Sequence, residues 1–440
     1  MLFRQFVDDD LGCGSYLVGD ERAGVAALVD PGYAIERYLD ACAGAGVRPV
    51  VVVETHTHAD HVSGHGRLAL EHGLPVRVHE AAGATFPQEP LRDGDEIVLG
   101  EVVLRVVHTP GHRPEHCAIE VLEDGEPKAV LTGDSLFVGD AARPDLAVDA
   151  EEGAEDLFRS LQRLVGLGDA VAVYPGHMAG SLCGAHLSPE PSTTIGRELE
   201  QNAALVATHE EFMCRSTGPQ PPRPPNMEAI VELNRGPFMG APPPLVHVDD
   251  APGAIVLDVR DAEVFARGHR RGAVNVPVDG ASFGTKAAFV LPPSRPILLE
   301  AESEEQAERA AARLHAVGLF DLAGRREPGD DEPTEPVTMD ELERRLAAGE
   351  IQLVDVRETS ERDEGFIPGS THLPYRNVRA AAANGLCDEL PIVTICESGA
   401  RAAIAASVLR SVGVDARPVL GGGIATWRGE TYSFRRCGGS

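Results

Sequence analysis

Two stretches of the chain repeat each other, and this restricts its fold more than any other feature. Residues 257–277 read LDVRDAEVFARGHRRGAVNVP, and residues 354–374 read VDVRETSERDEGFIPGSTHLP. At an offset of 97, Asp258 aligns with Asp355, Val259 with Val356, Arg260 with Arg357, Gly268 with Gly365, Gly272 with Gly369 and Pro277 with Pro374. Further on, PILLEAESEEQA (296–307) lines up with PIVTICESGARA (391–402). In each copy a short β-branched run precedes DVR and a second precedes the later loop. An Ala-rich amphipathic stretch follows. Alternating strands and helices of this kind predict a parallel α/β sheet. Two copies at so long a period make tandem domains rather than a solenoid.

Proline-rich breaks divide the chain. PQPPRPP (219–225) is followed by an apolar helical pattern and then by APPP (241–244), while REPGDDEPTEP (326–336) is acidic and polar. Such stretches cannot hold a packed core. They place boundaries near 242 and 330, giving domains 1–242, 243–330 and 331–440. Three domains suit 440 residues at roughly 100–200 per domain.

The first 240 residues follow another plan, in which four β-type runs each end in a polar cluster. Pro49–Val53 leads into ETHTHADH, Val102–Val107 into HTPGH, Ala129–Leu131 into TGDS, and Ala170–Val173 into YPGH. Strand ends that repeatedly carry His and Asp imply loops converging on one sheet edge, where chemistry usually sits. The segment His56-Thr57-His58-Ala59-Asp60-His61 packs three imidazoles and a carboxylate into six residues. Divalent transition metals prefer such donors. His112, Asp134 and His177 arrive in matching strand-end contexts.

THTHADH, TPGH, TGDS and YPGH, in this order and spacing, resemble the metallo-β-lactamase fold superfamily over roughly residues 1–240. The resemblance implies an αββα sandwich with a metal site at its edge. LGCGSYLVGD near the start, ARPDL after Asp134, and SLCG followed by STTIGRE resemble the ETHE1-like persulfide dioxygenase branch. That likeness implies one Fe(II) per chain held by His56, His112 and Asp134, with O2 as co-substrate. Two histidines and one carboxylate on one face would leave three positions open for substrate and O2. His58, Asp60, His61 and His177 would then surround the metal or form a vacant second metal site. Arg143 and Tyr174 fall where the family's thiol substrate binds, and Cys183 is a candidate sulfur relay. His116 and Cys117 are read as structural. The alternative is a glyoxalase-II-like thioester hydrolase, in which all seven residues hold two Zn ions that activate hydroxide.

Near the C-terminus, Cys396-Glu397-Ser398-Gly399-Ala400-Arg401 follows the β-type run Ile392–Ile395 and precedes a helical stretch. A cysteine at a helix N-terminus sees backbone N–H groups that favour its thiolate. Together with DVR before it and LGGGIATW after it, the loop resembles the rhodanese active site over about 335–440. The resemblance implies Cys396 as the sulfur-carrying nucleophile, Arg401 as an aid to anion binding, and Asp355 as a support for the loop. Glu397 departs from the basic or neutral residue of related loops and disfavours dianionic thiosulfate. The earlier copy carries Ala301 opposite Cys396 and Gln306 opposite Arg401, so it reads as an inactive rhodanese-like domain.

Acidic residues number 69 against 39 basic ones, a formal net charge of −30. Such a surface repels phosphate backbones and anionic lipid, so no nucleic-acid or membrane partner is expected. No run approaches the roughly 18 apolar residues of a membrane span, and the N-terminus lacks a signal-peptide layout. The eight cysteines are scattered without a CxxC, as in a reducing cytoplasm. The expected partners are a small-molecule persulfide, a thiol, and sulfite or thiosulfate. Homo-oligomerisation is left open. The sequence thus reads as an α/β multidomain enzyme, an αββα sandwich followed by two rhodanese-like domains, acting as a persulfide dioxygenase coupled to sulfur transfer.

Overall fold

The computed structural model describes residues 1–179, 187–220, 222–384 and 390–433. They fall into two compact units, residues 1–242 with 315–318 in the first and the remainder in the second.

In the first unit, β1 (Leu2–Val7), β2 (Gly14–Asp20), β3 (Val25–Val29), β4 (Arg48–Val53), β5 (Val76–His79) and β6 (Glu89–Leu91) form one sheet in chain order. A second six-stranded sheet contains β7 (Glu96–Leu99), β8 (Val102–His108), β9 (Cys117–Glu123), β10 (Glu126–Gly133), β11 (Ala172–Pro175) and β12 (Thr193–Thr194). Period-two alternation sorts the apolar side chains into layers. Tyr16, Val18, Ala27, Val29, Val51 and Val53 share one core with Leu104, Val106, Ile119, Val121, Ala129 and Leu131 of the second sheet. Their neighbours Leu17, Ala26, Leu28 and Val52 face the other way, against Tyr38, Ala41 and Cys42 of helix Glu36–Ala45 and Leu68 of helix His65–His72.

On the far side Val107, Ala118, Val130 and Val173 meet Leu157, Leu161 and Leu164 of helix Ala150–Val165. That i, i+4, i+7 spacing keeps the three leucines on one face, and each buried side chain contributes about 2 kcal/mol. Asp149 caps the helix by accepting the Glu151 N–H. The layers are helix, sheet, sheet, helix, as the motif order implied. One boundary differs. The last metal-bearing strand begins at Ala172, because a turn on the left-handed Gly168 (φ 111°) takes the residues before it.

The second unit holds two four-stranded parallel sheets. One contains β13 (Ile255–Asp258), β14 (Val274–Asn275), β15 (Ile297–Glu300) and β16 (Leu322–Arg326). The other contains β17 (Gln352–Asp355), β18 (Thr371–His372), β19 (Ile392–Ile395) and β20 (Ala416–Pro418). Both run in the order second, first, third, fourth. Asp258 pairs with Glu300, and Asp355 with Ile395. The equivalent register places Ala301 and Cys396 at the same point, one residue beyond the third strand. No helix among the described residues is long and apolar enough to cross a membrane.

Candidate metal centre and cysteine loop

The loop leaving β4 is set by a chain of hydrogen bonds. Asp30 accepts the Thr55 backbone N–H at 2.7 Å and its hydroxyl at 2.8 Å. With its proton committed, the Thr55 oxygen accepts Nδ1–H of His56 at 2.9 Å. This network assigns the His56 tautomer and leaves Nε2 as a bare lone pair. His112 donates Nδ1–H to the Arg143 carbonyl at 3.0 Å, which likewise leaves Nε2 free to ligate. The Asp134 N–H donates to Nε2 of His116 at 2.9 Å, and Nδ1 of His116 donates to Thr109 at 2.9 Å. Burial pushes the His116 pKa down to about 3, so the ring stays neutral behind the site. Gly133 has φ +47°, and a Cβ there would lie 2.7 Å from Nε2 of His116 and 2.8 Å from the Thr55 hydroxyl. The glycine of TGD is therefore required.

The bare atoms converge. Nε2 of His112 lies 3.5 Å and Nε2 of His56 4.0 Å from Oδ2 of Asp134. All three side chains are buried, and Nε2 of His56 and Oδ2 of Asp134 have no hydrogen-bond partner. Burial holds both imidazoles below their ordinary pKa. Although burial opposes it, His177 and then His112 hold the Asp134 carboxyl well below the usual range. Neutral imidazoles and an ionised carboxylate are the forms that bind metal. Orphaned buried polar atoms of this kind fit a metal ion, and His56, His112 and Asp134 could hold one between them.

The other four motif residues divide into two groups. Asp60, His61 and His177 gather around Cys13, whose Sγ lies 3.5 Å from Oδ2 of Asp60, 3.5 Å from Nδ1 of His61 and 3.3 Å from Nε2 of His177. His177 also donates Nδ1–H to Oδ1 of Asp134 at 2.8 Å, joining this group to the first. His58 turns away. Its Nε2 lies 3.3 Å from Asp30 and 3.2 Å from Glu54. Although burial opposes it, these carboxylates hold the ring well above its ordinary pKa. Asn234 pins the loop, donating to the carbonyls of His58 and His61 and accepting the Ser63 N–H.

The sequence reading missed Cys13, Asp30, Glu54, Thr55 and Asn234. Glu54 and Thr55 abut the motif, and Cys13 lies in LGCGSY. Nothing local signals Asn234.

Arg143 is buried, and its guanidinium forms a two-pronged pair with Asp145 at 2.7 and 3.0 Å. Tyr174 is half-buried against Phe3, with ring centroids 4.5 Å apart. Cys183 lies outside the described residues.

Residues 8–177 match the metallo-beta-lactamase superfamily, and residues 338–430 match the rhodanese-like domain. A hydroxyacylglutathione hydrolase of Anaeromyxobacter dehalogenans is 36% identical over 42% of this chain and 70% of its own length. The chain belongs to the metallo-β-lactamase superfamily. Another relative is the mitochondrial persulfide dioxygenase of Bos taurus, 29% identical over 55% of this chain and 91% of its own. The crystal structure of a metallo-beta-lactamase from Staphylococcus aureus is 29% identical, with a TM-score of 0.69, covering 74% of this chain and 98% of that one. An overlap of that extent is too long for residues 1–242 alone.

This superfamily member carries a second candidate site in its rhodanese-like domain. Cys396 is buried at the end of β19, and the Gly399 N–H donates to its Sγ at 3.1 Å. Gly399 has φ 102°, which turns its N–H inward ahead of helix Ala400–Ser411. The Arg401 guanidinium makes two bonds of 2.6 Å to Glu361. The resemblance gave Arg401 to anion binding, and here its charge is already matched by a carboxylate. Asp355 does not reach the loop itself. It binds Arg357, which extends to Glu397 at 3.4 Å. In the middle domain Glu304 stands where Gly399 does, and the Gln306 side chain accepts the Glu302 N–H at 2.8 Å, closing the loop on itself.

Proposed function

We propose that the first unit is a mononuclear non-haem iron persulfide dioxygenase whose product chemistry is coupled to sulfur transfer at Cys396. A low-molecular-weight persulfide, O2 and water would give sulfite and the free thiol. The observation that carries this reading is the buried His56, His112 and Asp134 group, with His58 turned away to Asp30 and Glu54. Bound iron would supply the redox centre at which persulfide sulfur and O2 meet. Thr55 and the Arg143 carbonyl aim the two imidazoles, and His116 and His177 fix the Asp134 carboxylate. Burial of these groups excludes bulk water from the ligand atoms. Cys396, under the Gly399 N–H, would carry sulfane sulfur between persulfide, thiol and sulfite or thiosulfate. A cytoplasmic setting accords with the scattered cysteines.

A second reading has its own support. Cys13, Asp60, His61 and His177 bring four ligand atoms within 4.8 Å of one another. That group favours a second ion and, with it, a dizinc thioester hydrolase like the hydroxyacylglutathione hydrolase relative. The test is oxygen uptake with a synthetic persulfide, on protein assayed for iron and zinc. The dioxygenase reading expects about one Fe per chain and O2 consumption matched by sulfite. Two tightly held zinc ions with thioester hydrolysis and no O2 consumption would overturn it.

A further inference from the structure

We infer that Glu54, acting with Asp30, is a positioning residue that holds His58 away from the metal and so limits the mononuclear site to three protein ligands. The inference rests on the mononuclear reading above. His58 is well placed to be a fourth ligand. It is two residues from His56 on the same loop, and the two ring centroids are 4.2 Å apart. Its Nε2 faces the two carboxylates instead, at 3.3 Å from Asp30 and 3.2 Å from Glu54. Neither contact is aligned as a hydrogen bond, and both ring nitrogens of His58 lack an aligned partner. The two carboxylates that Nε2 faces therefore set the direction of the ring, so removing one of them should let it turn.

Glu54 is itself fixed. Its Oε1 accepts the Ser63 hydroxyl at 2.6 Å and lies 3.4 Å from Nδ1 of His65. Glu54, Asp30, His58 and His65 are all buried. Asp30 shares its work, because the Oδ1 near His58 also accepts the Thr55 backbone N–H and its Oδ2 accepts the Thr55 hydroxyl. The Oε2 of Glu54, by contrast, has no hydrogen-bond partner and lies 3.2 Å from Nε2 of His58. The consequence is chemical. An ion of octahedral preference with three protein ligands keeps three positions for a sulfur anion and O2, and a fourth imidazole would take one of them.

Co(II) is the probe, loaded into the full-length apo-protein, with visible absorption and metal per chain as readouts. Wild type and His58→Ala should share one spectrum at one Co(II) per chain. Glu54→Ala should shift that spectrum through an added nitrogen donor, and Glu54→Ala/His58→Ala should restore it. Glu54→Gln keeps the acceptor for Ser63 and presents an amide N–H instead of an acceptor to Nε2 of His58, so it should shift in the same direction and serves if the alanine variant does not fold. Unchanged spectra in both Glu54 variants would overturn the inference. So would a shift that persists without His58, since that would be a merely structural effect, or a change of the wild-type spectrum on His58→Ala. Two Co(II) per chain in wild type would instead overturn the mononuclear reading itself.

Discussion

The hydrogen on Nδ1 of His56 decides what that ring can do. Given to Thr55, it leaves Nε2 for a metal, and Asp30 makes the gift possible by taking the Thr55 proton. Thr55→Val should therefore weaken metal binding by about 10–100-fold, read by chelator competition, although Thr55 is not a ligand. His56→Ala, His112→Ala and Asp134→Ala should each lose the bound iron and oxygen uptake together. Metal analysis with an oxygen electrode checks this, and a variant that keeps one full Fe per chain would remove its residue from the ligand set. The motif residues were legible because imidazoles and carboxylates at strand ends announce themselves. Cys13 and Asn234 were not. A lone cysteine reads as a small hydrophobe, and Asn234 lies 171 residues from its partner Ser63.

The strand-to-helix turn at Cys396 belongs to the scale of elements. Its cysteine and glycine were legible from the strand, the loop and the Ala-rich helix that follows. The partner of Arg401 was not, because Glu361 comes from a helix 40 residues earlier. Although burial opposes it, Arg401 holds the Glu361 carboxyl below its ordinary pKa. A depressed carboxylate stabilises the fold above its unfolded pKa of about 4.3, and the gain is lost as pH falls through the folded value. Glu361→Gln should cost about 1 kcal/mol near pH 7, seen as faster hydrogen exchange in helix Ala400–Ser411. The difference should vanish in acid. In the middle domain, Ala301→Cys in a Cys396→Ser background should not restore thiosulfate:thiol sulfurtransfer. Glu304 replaces the left-handed glycine there, and Gln306 closes the loop. Recovery of a substantial fraction of wild-type rate would show that a working cradle survives.

For the molecule as a whole, the candidate iron ligands and Cys396 lie in different compact units. Cys396→Ser should abolish sulfur transfer and leave oxygen consumption with added persulfide largely intact. Equal loss of both would mean that substrate must pass through Cys396 first. The tandem plan was readable from the offset of 97 because the buried strand and turn residues recur. The ion-pair wiring between them was not, because its partners come from separate strands, turns and helices.

That wiring gives the chain an internal control. In the copy that carries Cys396, Arg357 binds Asp355 and the Gly365 carbonyl, and in the other Arg260 binds Asp258 and the Gly268 carbonyl. The copy with Ala301 at the cysteine position has the same aspartate, the same arginine and the carbonyl that accepts from that arginine. A pairing shared by the copy without the cysteine is accounted for by the fold. Asp355→Asn should accordingly behave as a folding mutation. Stripping the charge from this buried pair costs about 3–5 kcal/mol, whereas the sulfur-transfer rate per correctly folded molecule should stay near that of the parent.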